Sequence, residues 1–171
     1  MKAHGGLLTK KDLEQCQPTT HLPLMGSYRG LEVATNQLPG GGLMILEMLN
    51  ILECFDLASM GHNSAAYIAT VAEAMKLATI DKDTSMGDPN FVDVPIERLM
   101  SKSYAQTLAD RIKAGEKAHV RRINSGAPES KDTTHLVVAD SNGNVVNLTH
   151  SLGSSSGVIT EGLGFMYNNC M

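Results

Sequence analysis

Residues 131 to 152 run "KDTTHLVVADSNGNVVNLTHSL", and their pattern is that of a β-hairpin. Thr133 and Thr134 head an apolar run, "SNG" supplies a turn, and a second apolar run ends at Ser151. β-Branched residues on both sides of an Asn-Gly pair are a strong short-range hairpin signal. Two registers are open. If Asn142 and Gly143 alone form the turn, Thr134 faces Ser151; a three-residue turn with Gly143 in the left-handed conformation pairs Thr133 with Ser151 instead. Either register brings a second hydroxyl to the Thr pair, with His135 and His150 near the same end. Taken alone, such a pair is a sheet stabiliser, because Thr favours strands and cross-strand Thr and Ser pairs are common. The two histidines read as structural, since there is no GxSxG elbow and no spacing marks either as a base.

Outward from the hairpin, composition bounds the rest. The 171 residues, 42% hydrophobic, suffice for one domain of ordinary size with its own core. The 14 Lys and Arg are scattered against 18 Asp and Glu, leaving a formal charge of -4 and no basic surface for nucleic acid. The richest apolar run, "GGLMILEMLNILECF", is interrupted by Glu47, Asn50 and Glu53, far short of the roughly 20 apolar residues a membrane span needs. Cys16, Cys54 and Cys170 are odd in number and show no CxxC spacing, so they read as ordinary thiols, and the histidines show no HExxH pattern. No metal and no cofactor is expected. "MKAHGGLLTKKD" does not read as a signal peptide.

Upstream, Thr9 and Asp12 have capping-box spacing, which predicts a short helix over "KKDLEQC". "PLMGSYRGLEVATNQL", punctuated by Gly26 and Gly30, predicts two short strands, and "PGGG" at 39 to 42 ends them. From Leu43 to about Leu57 apolar residues fall nearly all round a helix, which implies burial on several sides. Asn63 or Ser64 can cap a second helix, in which Tyr67, Ile68, Val71, Met75 and Ala78 recur at helical spacing. "DKDTSMGDPNFVDVP" reads as a loop, and Ser101 caps a third helix over about 102 to 114, ending near Gly115. Residues 116 to 132 are polar and hold Gly126 and Pro128, which predicts a mobile connector between a mainly helical part and a β-rich part.

The segment "DTTHLVVADSNGNVVNLTHSL" together with "GLGFMYNNCM" resembles the start of the small subunit of γ-glutamyltransferases (γ-glutamyltranspeptidases), members of the N-terminal-nucleophile hydrolase superfamily. "GGLLTKKDLEQ", "YRG", "PGGG" before a helix, "LNILECFDL", "GDPNFVDVP" and "SYAQTLADRI" resemble, in that order, the end of the family's large subunit. The resemblance thus divides the chain into 1–132, the C-terminal part of a large subunit, and 133–171, the start of a small one, and suggests an internal fragment of a longer enzyme. The implied fold is α+β, part of a four-layer αββα sandwich.

The resemblance also implies a chemistry. The precursor would cut itself between Asp132 and Thr133, and Thr133 would become an N-terminal nucleophile. A threonine hydroxyl is weak without a neighbouring base, and cleavage creates one, the α-amine of the same residue, with a pKa of about 8. Ser151 stands where the family places a hydroxyl, usually Thr, that holds the nucleophile. Gly153, with Ser154, lies where the family has a substrate-contacting Asn, and Cys170 lies where Gln or Glu contacts the donor's amino group. Both departures bear on donor choice. The implied donor is glutathione or a similar γ-glutamyl compound, the acceptor water, an amino acid or a peptide, and the two cleavage products a heterodimer. The family's Gly-Gly oxyanion turn is expected beyond Met171, so this polypeptide alone is expected to be nearly inactive. Related amidohydrolases or acylases of the same fold, or an inactive truncated homologue, are the alternatives. Periplasmic or secreted placement follows from the resemblance alone.

Overall fold

A computed structural model describes residues 8–18, 20–121, 133–152, 155–164 and 166–168, in two compact units, Met1–Arg121 and Arg122–Met171. The first unit begins with helix α1, Lys10–Gln15, whose capping box is formed: the Asp12 amide donates to Thr9 Oγ1 at 3.3 Å and the Thr9 amide to Asp12 Oδ2 at 2.7 Å. Its one apolar side chain, Leu13, is exposed, and the helix buries none of its residues.

Strands β1, Leu24–Tyr28, and β2, Leu31–Thr35, pair antiparallel from Leu24 opposite Thr35 to Tyr28 opposite Leu31. Arg29 and Gly30 turn the chain with φ of 50° and 80°, the two left-handed residues of a type I′ hairpin. Leu24, Gly26, Tyr28, Val33 and Thr35 form the more buried face. A Cβ at Gly26 would stand 2.6 Å from Leu46 Cδ2 of the following helix, so any larger residue there would push that buried side chain aside.

That helix, α2, spans Gly42–Glu53, so it stops short of the expected end near Leu57. Its apolar girdle does what the pattern predicts. Leu43, Leu46 and Ile51 are almost wholly buried, Ile45 alone of its large apolar side chains is exposed, and the helix packs against β1, β2 and three other helices. These are α3, Ala65–Ser85, α4, Ile96–Met100, and α5, Lys102–Lys113. Ile51, Ala74, Leu77, Ala105, Leu108 and Ala109 make the central cluster, with Phe55, Tyr104 and Ile112 packed around it.

Two expectations about α3 need correcting. The helix continues through Asp81–Ser85, where a loop was expected; of the two caps the sequence allowed, Ser64 is the one used, accepting from the Tyr67 amide at 3.1 Å. Thr84 returns its hydroxyl to the Ile80 carbonyl at 2.8 Å, and the chain leaves the helix only beside Gly87 and Pro89. The buried face is also rotated from the expected one: Ala78 is inside as expected, but with Thr70, Glu73, Ala74 and Leu77, whereas Ile68 and Met75 are more than half exposed. Alanines set this face, since small side chains let α3 close on its neighbours, and the polar Thr70 and Glu73 are admitted because each finds a partner. Helix α4 was not anticipated; it contributes the fully buried Leu99.

Helix α5 follows the expected bounds, capped by Ser101 Oγ accepting from the Tyr104 amide at 3.1 Å. Ser101→Ala should lower stability by about 1 kcal/mol in chemical denaturation, the usual cost of an orphaned N-terminal amide. Lys102, at the start of α5, ties three elements together: its Nζ donates to Ser27 O at 2.9 Å, Asn50 Oδ1 at 2.6 Å and Glu53 Oε2 at 2.5 Å. The Lys102 ammonium, with the Arg29 amide, holds the Glu53 carboxyl below its ordinary range. At the end of this unit Glu73 accepts from Lys76 Nζ at 2.6 Å and from the Ala118 amide at 3.0 Å. Burial pushes the Glu73 carboxyl up, but these donors outweigh it and leave its pKa lowered. The first residues of the expected connector are thereby bonded to the helices; residues 122–132 lie outside those described.

The second unit consists of β3, Thr133–Ala139, paired with β4, Val145–Ser151, and of β5, Ser155–Ile159, paired with β6, Met166–Asn168, both antiparallel. The chain is therefore a mixed helix and strand protein, with three two-stranded sheets among the described residues. No helix in them is long and apolar enough to cross a membrane, and Cys16 and Cys54 are free thiols.

Candidate active site

The β3–β4 turn selects between the two registers that the sequence left open. The Asp140 carboxylate accepts from the amides of Asn142 and Asn144, both at 2.9 Å, and from Asn144 Nδ2 at 2.8 Å. Gly143 takes φ of 83° and donates its amide to Asp140 O at 3.2 Å, which closes a three-residue loop between Asp140 and Asn144. The Asn144 side chain, then the backbone amides, hold the Asp140 carboxyl below its ordinary range. From this turn the pairs run Ala139 to Val145, Val137 to Asn147, His135 to Thr149 and Thr133 to Ser151.

Because side chains alternate along a strand, Thr133 and His135 share one face with Ser151 and Thr149. Thr133 Oγ1 and Ser151 Oγ stand 2.8 Å apart, and one rung further His135 Nδ1 lies 2.8 Å from Thr149 Oγ1. The opposite face carries Thr134, Leu136 and Val138 against His150, Leu148 and Val146. One face is thus polar at the Thr133 end and the other largely apolar. Leu136, Val138, Val146 and Leu148 are each more than half exposed.

Chemically, the Thr133–Ser151 pair orients a hydroxyl and can relay a proton, but neither oxygen is a base at neutral pH. While Thr133 is joined to Asp132, its nitrogen is a peptide amide with no basic lone pair. Of the residues named from the sequence, the structure brings Thr133 and Ser151 into contact, while Asp132, Gly153 and Cys170 lie outside the described residues. Thr149 was not singled out from the sequence; its position two residues before Ser151, hence on the same strand face, was the available signal.

The other strand pair of this unit has polar order of its own. Ser156 Oγ donates to Tyr167 O at 2.7 Å, and Thr160 Oγ1 donates to the Tyr167 hydroxyl at 3.1 Å, bracing β5 against β6.

Comparison with known proteins gives this hairpin its setting. A family model described as Gamma-glutamyltranspeptidase matches residues 1–171. The chain is 38% identical to the glutathione hydrolase proenzyme of Escherichia coli strain K12, covering 100% of this chain and 30% of that protein. It is 40% identical to the acylase ACY 1 proenzyme of Pseudomonas sp. strain V22, covering 100% of this chain and 31% of that one. The solved cephalosporin acylase from Bacillus halodurans superposes over 98% of this chain and 30% of its own, with a TM-score of 0.76 and 30% identity. The Helicobacter pylori γ-glutamyltranspeptidase covers 63% of this chain and 31% of its own, with a TM-score of 0.60 and 37% identity. The chain spans about a third of the length of the curated relatives it matches. With the family model matched from end to end and the paired hydroxyls at the head of the TTH strand, the chain belongs to the γ-glutamyltranspeptidase family.

Proposed function

We propose that Thr133 is the nucleophile of a γ-glutamyl-transferring or γ-glutamyl-hydrolysing enzyme, freed as an N-terminal residue by cleavage between Asp132 and Thr133. The observation that carries this reading is the 2.8 Å contact of Thr133 Oγ1 with Ser151 Oγ at the family's TTH position. The freed α-amine takes the proton from Oγ1, and Oγ1 attacks the γ-carbonyl of a donor such as glutathione. Collapse of the tetrahedral intermediate expels the donor's amine, which leaves with that proton, and a γ-glutamyl ester remains on Thr133. Water then releases glutamate and restores the hydroxyl; an amino acid or peptide amine in its place completes transfer. Ser151 holds the Thr133 hydroxyl in line, and Gly153 and Cys170 border the donor. The names of the relatives, a glutathione hydrolase proenzyme among them, support both the donor class and processing of a precursor, and the two products are read as a heterodimer.

The four-layer sandwich belongs to this reading. It is supported by the exposure of apolar side chains on β3 and β4, which further layers would cover. A second reading, an acylase acting on another amide, is favoured by the TM-score of 0.76 to the cephalosporin acylase.

Intact-mass measurement on the full-length protein tests the proposal: two fragments are expected, the smaller beginning at Thr133. A single uncut chain that turns over substrate at full rate would remove the mechanism. A chromogenic γ-glutamyl anilide assayed beside a cephalosporin side-chain amide separates the two readings. In either assay Ser151→Ala should lower kcat about 10- to 100-fold, matching loss of one hydroxyl partner worth roughly 1–3 kcal/mol, while Ser151→Thr should stay near the parent.

A further inference from the structure

The helical unit holds a polar cluster of its own. Glu47 sits in the middle of α2 with 0% of its surface exposed, and neither carboxyl oxygen has a hydrogen-bond donor among the described residues. A buried carboxylate with no donor is among the costliest groups a fold can hold. Its neighbour on α3 is Asp81, itself an acceptor for the Tyr104 hydroxyl of α5 at 2.7 Å, and Arg98 of α4 lies 4.7 Å over the Tyr104 ring. Asp81 is only half-buried, but the Glu47 carboxyl beside it is sealed from water, and the arrangement is satisfied only if one of the two carries a proton.

We propose that Glu47 is a neutral carboxylic acid in the folded protein and donates its proton to the Asp81 carboxylate, so that the packing of α2 on α3 retains one proton that the unfolded chain releases.

The groups around it agree. Burial is the largest influence on Glu47, followed by the hydrogen bond to Asp81 and that residue's negative charge; together they push the carboxyl up to about 9 against the opposing charge of Arg98. From α5, Tyr104 reaches the pair through Asp81. On the hairpin that also packs against α2, Tyr28 sits beneath its own neighbour Arg29, whose guanidinium carbon is 5.3 Å from the ring, and Glu32 is on the outward face.

The sign of the linkage follows. A carboxyl whose folded pKa is raised contributes its full stabilisation below the unfolded value of 4.5, and that contribution falls with rising pH until it is gone above about 9. Within this window the unfolding equilibrium constant should rise by up to tenfold per pH unit. Glu53 and Glu73, whose pKa values are lowered, act in the other direction and below the window, because they lose stabilisation as pH falls under 4.5.

The test is denaturant unfolding of the full chain from about pH 5 to about pH 9, with Glu47→Gln beside the parent. The Gln amide can still donate to Asp81 but has no proton to lose. The parent is expected to weaken across the window relative to E47Q, by up to tenfold per pH unit in the equilibrium constant. Infrared spectra of the parent alone should show the carbonyl stretch of an un-ionised acid at neutral pH in the folded protein, lost on unfolding, which keeps the test decisive even if E47Q does not fold. Equal pH slopes in parent and variant would overturn the proposal, as would absence of that band. Stabilisation of the parent but not of E47Q by added calcium would overturn it too, since the occupant would then be a cation.

Discussion

Replacing Thr133 by Ala in the full-length protein is expected to leave the chain uncut and to lower kcat by at least about a thousandfold, measured on a γ-glutamyl anilide. The magnitude follows from removing the nucleophile outright: binding and charge stabilisation persist, but no covalent intermediate forms, and such losses in other covalent enzymes run from about 10³ to 10⁶. Thr133→Ser separates the hydroxyl from its methyl. Serine keeps the oxygen 2.8 Å from Ser151 Oγ and the same α-amine after cleavage, so processing and measurable turnover should survive. Equal turnover by the parent and T133A would exclude Thr133 as the attacking group. Retained cleavage in T133A would show that the cut does not need this hydroxyl.

The largest loss of stability is expected from Ile51→Ala. Ile51 is fully buried on α2 and clusters with Ala74 and Leu77 of α3 and with Ala105, Leu108 and Ala109 of α5. Three of those five neighbours are already alanine, so the surrounding side chains have little reach with which to refill the space. Removing three carbons should cost about 2–5 kcal/mol, through lost transfer energy plus the cavity left behind. Ile45→Ala is the control from the same helix: that side chain is 44% exposed and its loss should cost less than about 1 kcal/mol. Denaturant midpoints read at unchanged m-value check both, and equal shifts would mean that the α2–α3–α5 contact is not the principal core of this unit.

How far the residues foretold these features differs between the two units. In the hairpin, spacing narrowed the pairing to two registers, and only the closed turn chose between them: Asp140 collects the amides of Asn142 and Asn144, Gly143 takes the left-handed conformation, and Thr133 rather than Thr134 meets Ser151. A one-residue slip would have sent the Thr133 hydroxyl to the other face. The order of blocks resembling the family was legible for a different reason, since each is a local string that needs no partner to be read.

Local chemistry thus announced its own elements. Thr9, Ser64 and Ser101 each cap the helix that follows, because a cap bonds only to amides two or three residues away. Contacts made across the core could not be announced in that way. The periodicity of α3 is the same whether Ile68 and Met75 or Thr70 and Ala74 point inward, and the choice fell to the small residues once α2 and α5 closed on them. Glu47 looked like a break in an apolar run, yet it is buried. Asp81, the carboxylate proposed to accept its proton, stands 34 positions along the chain, and only folding brings the two together.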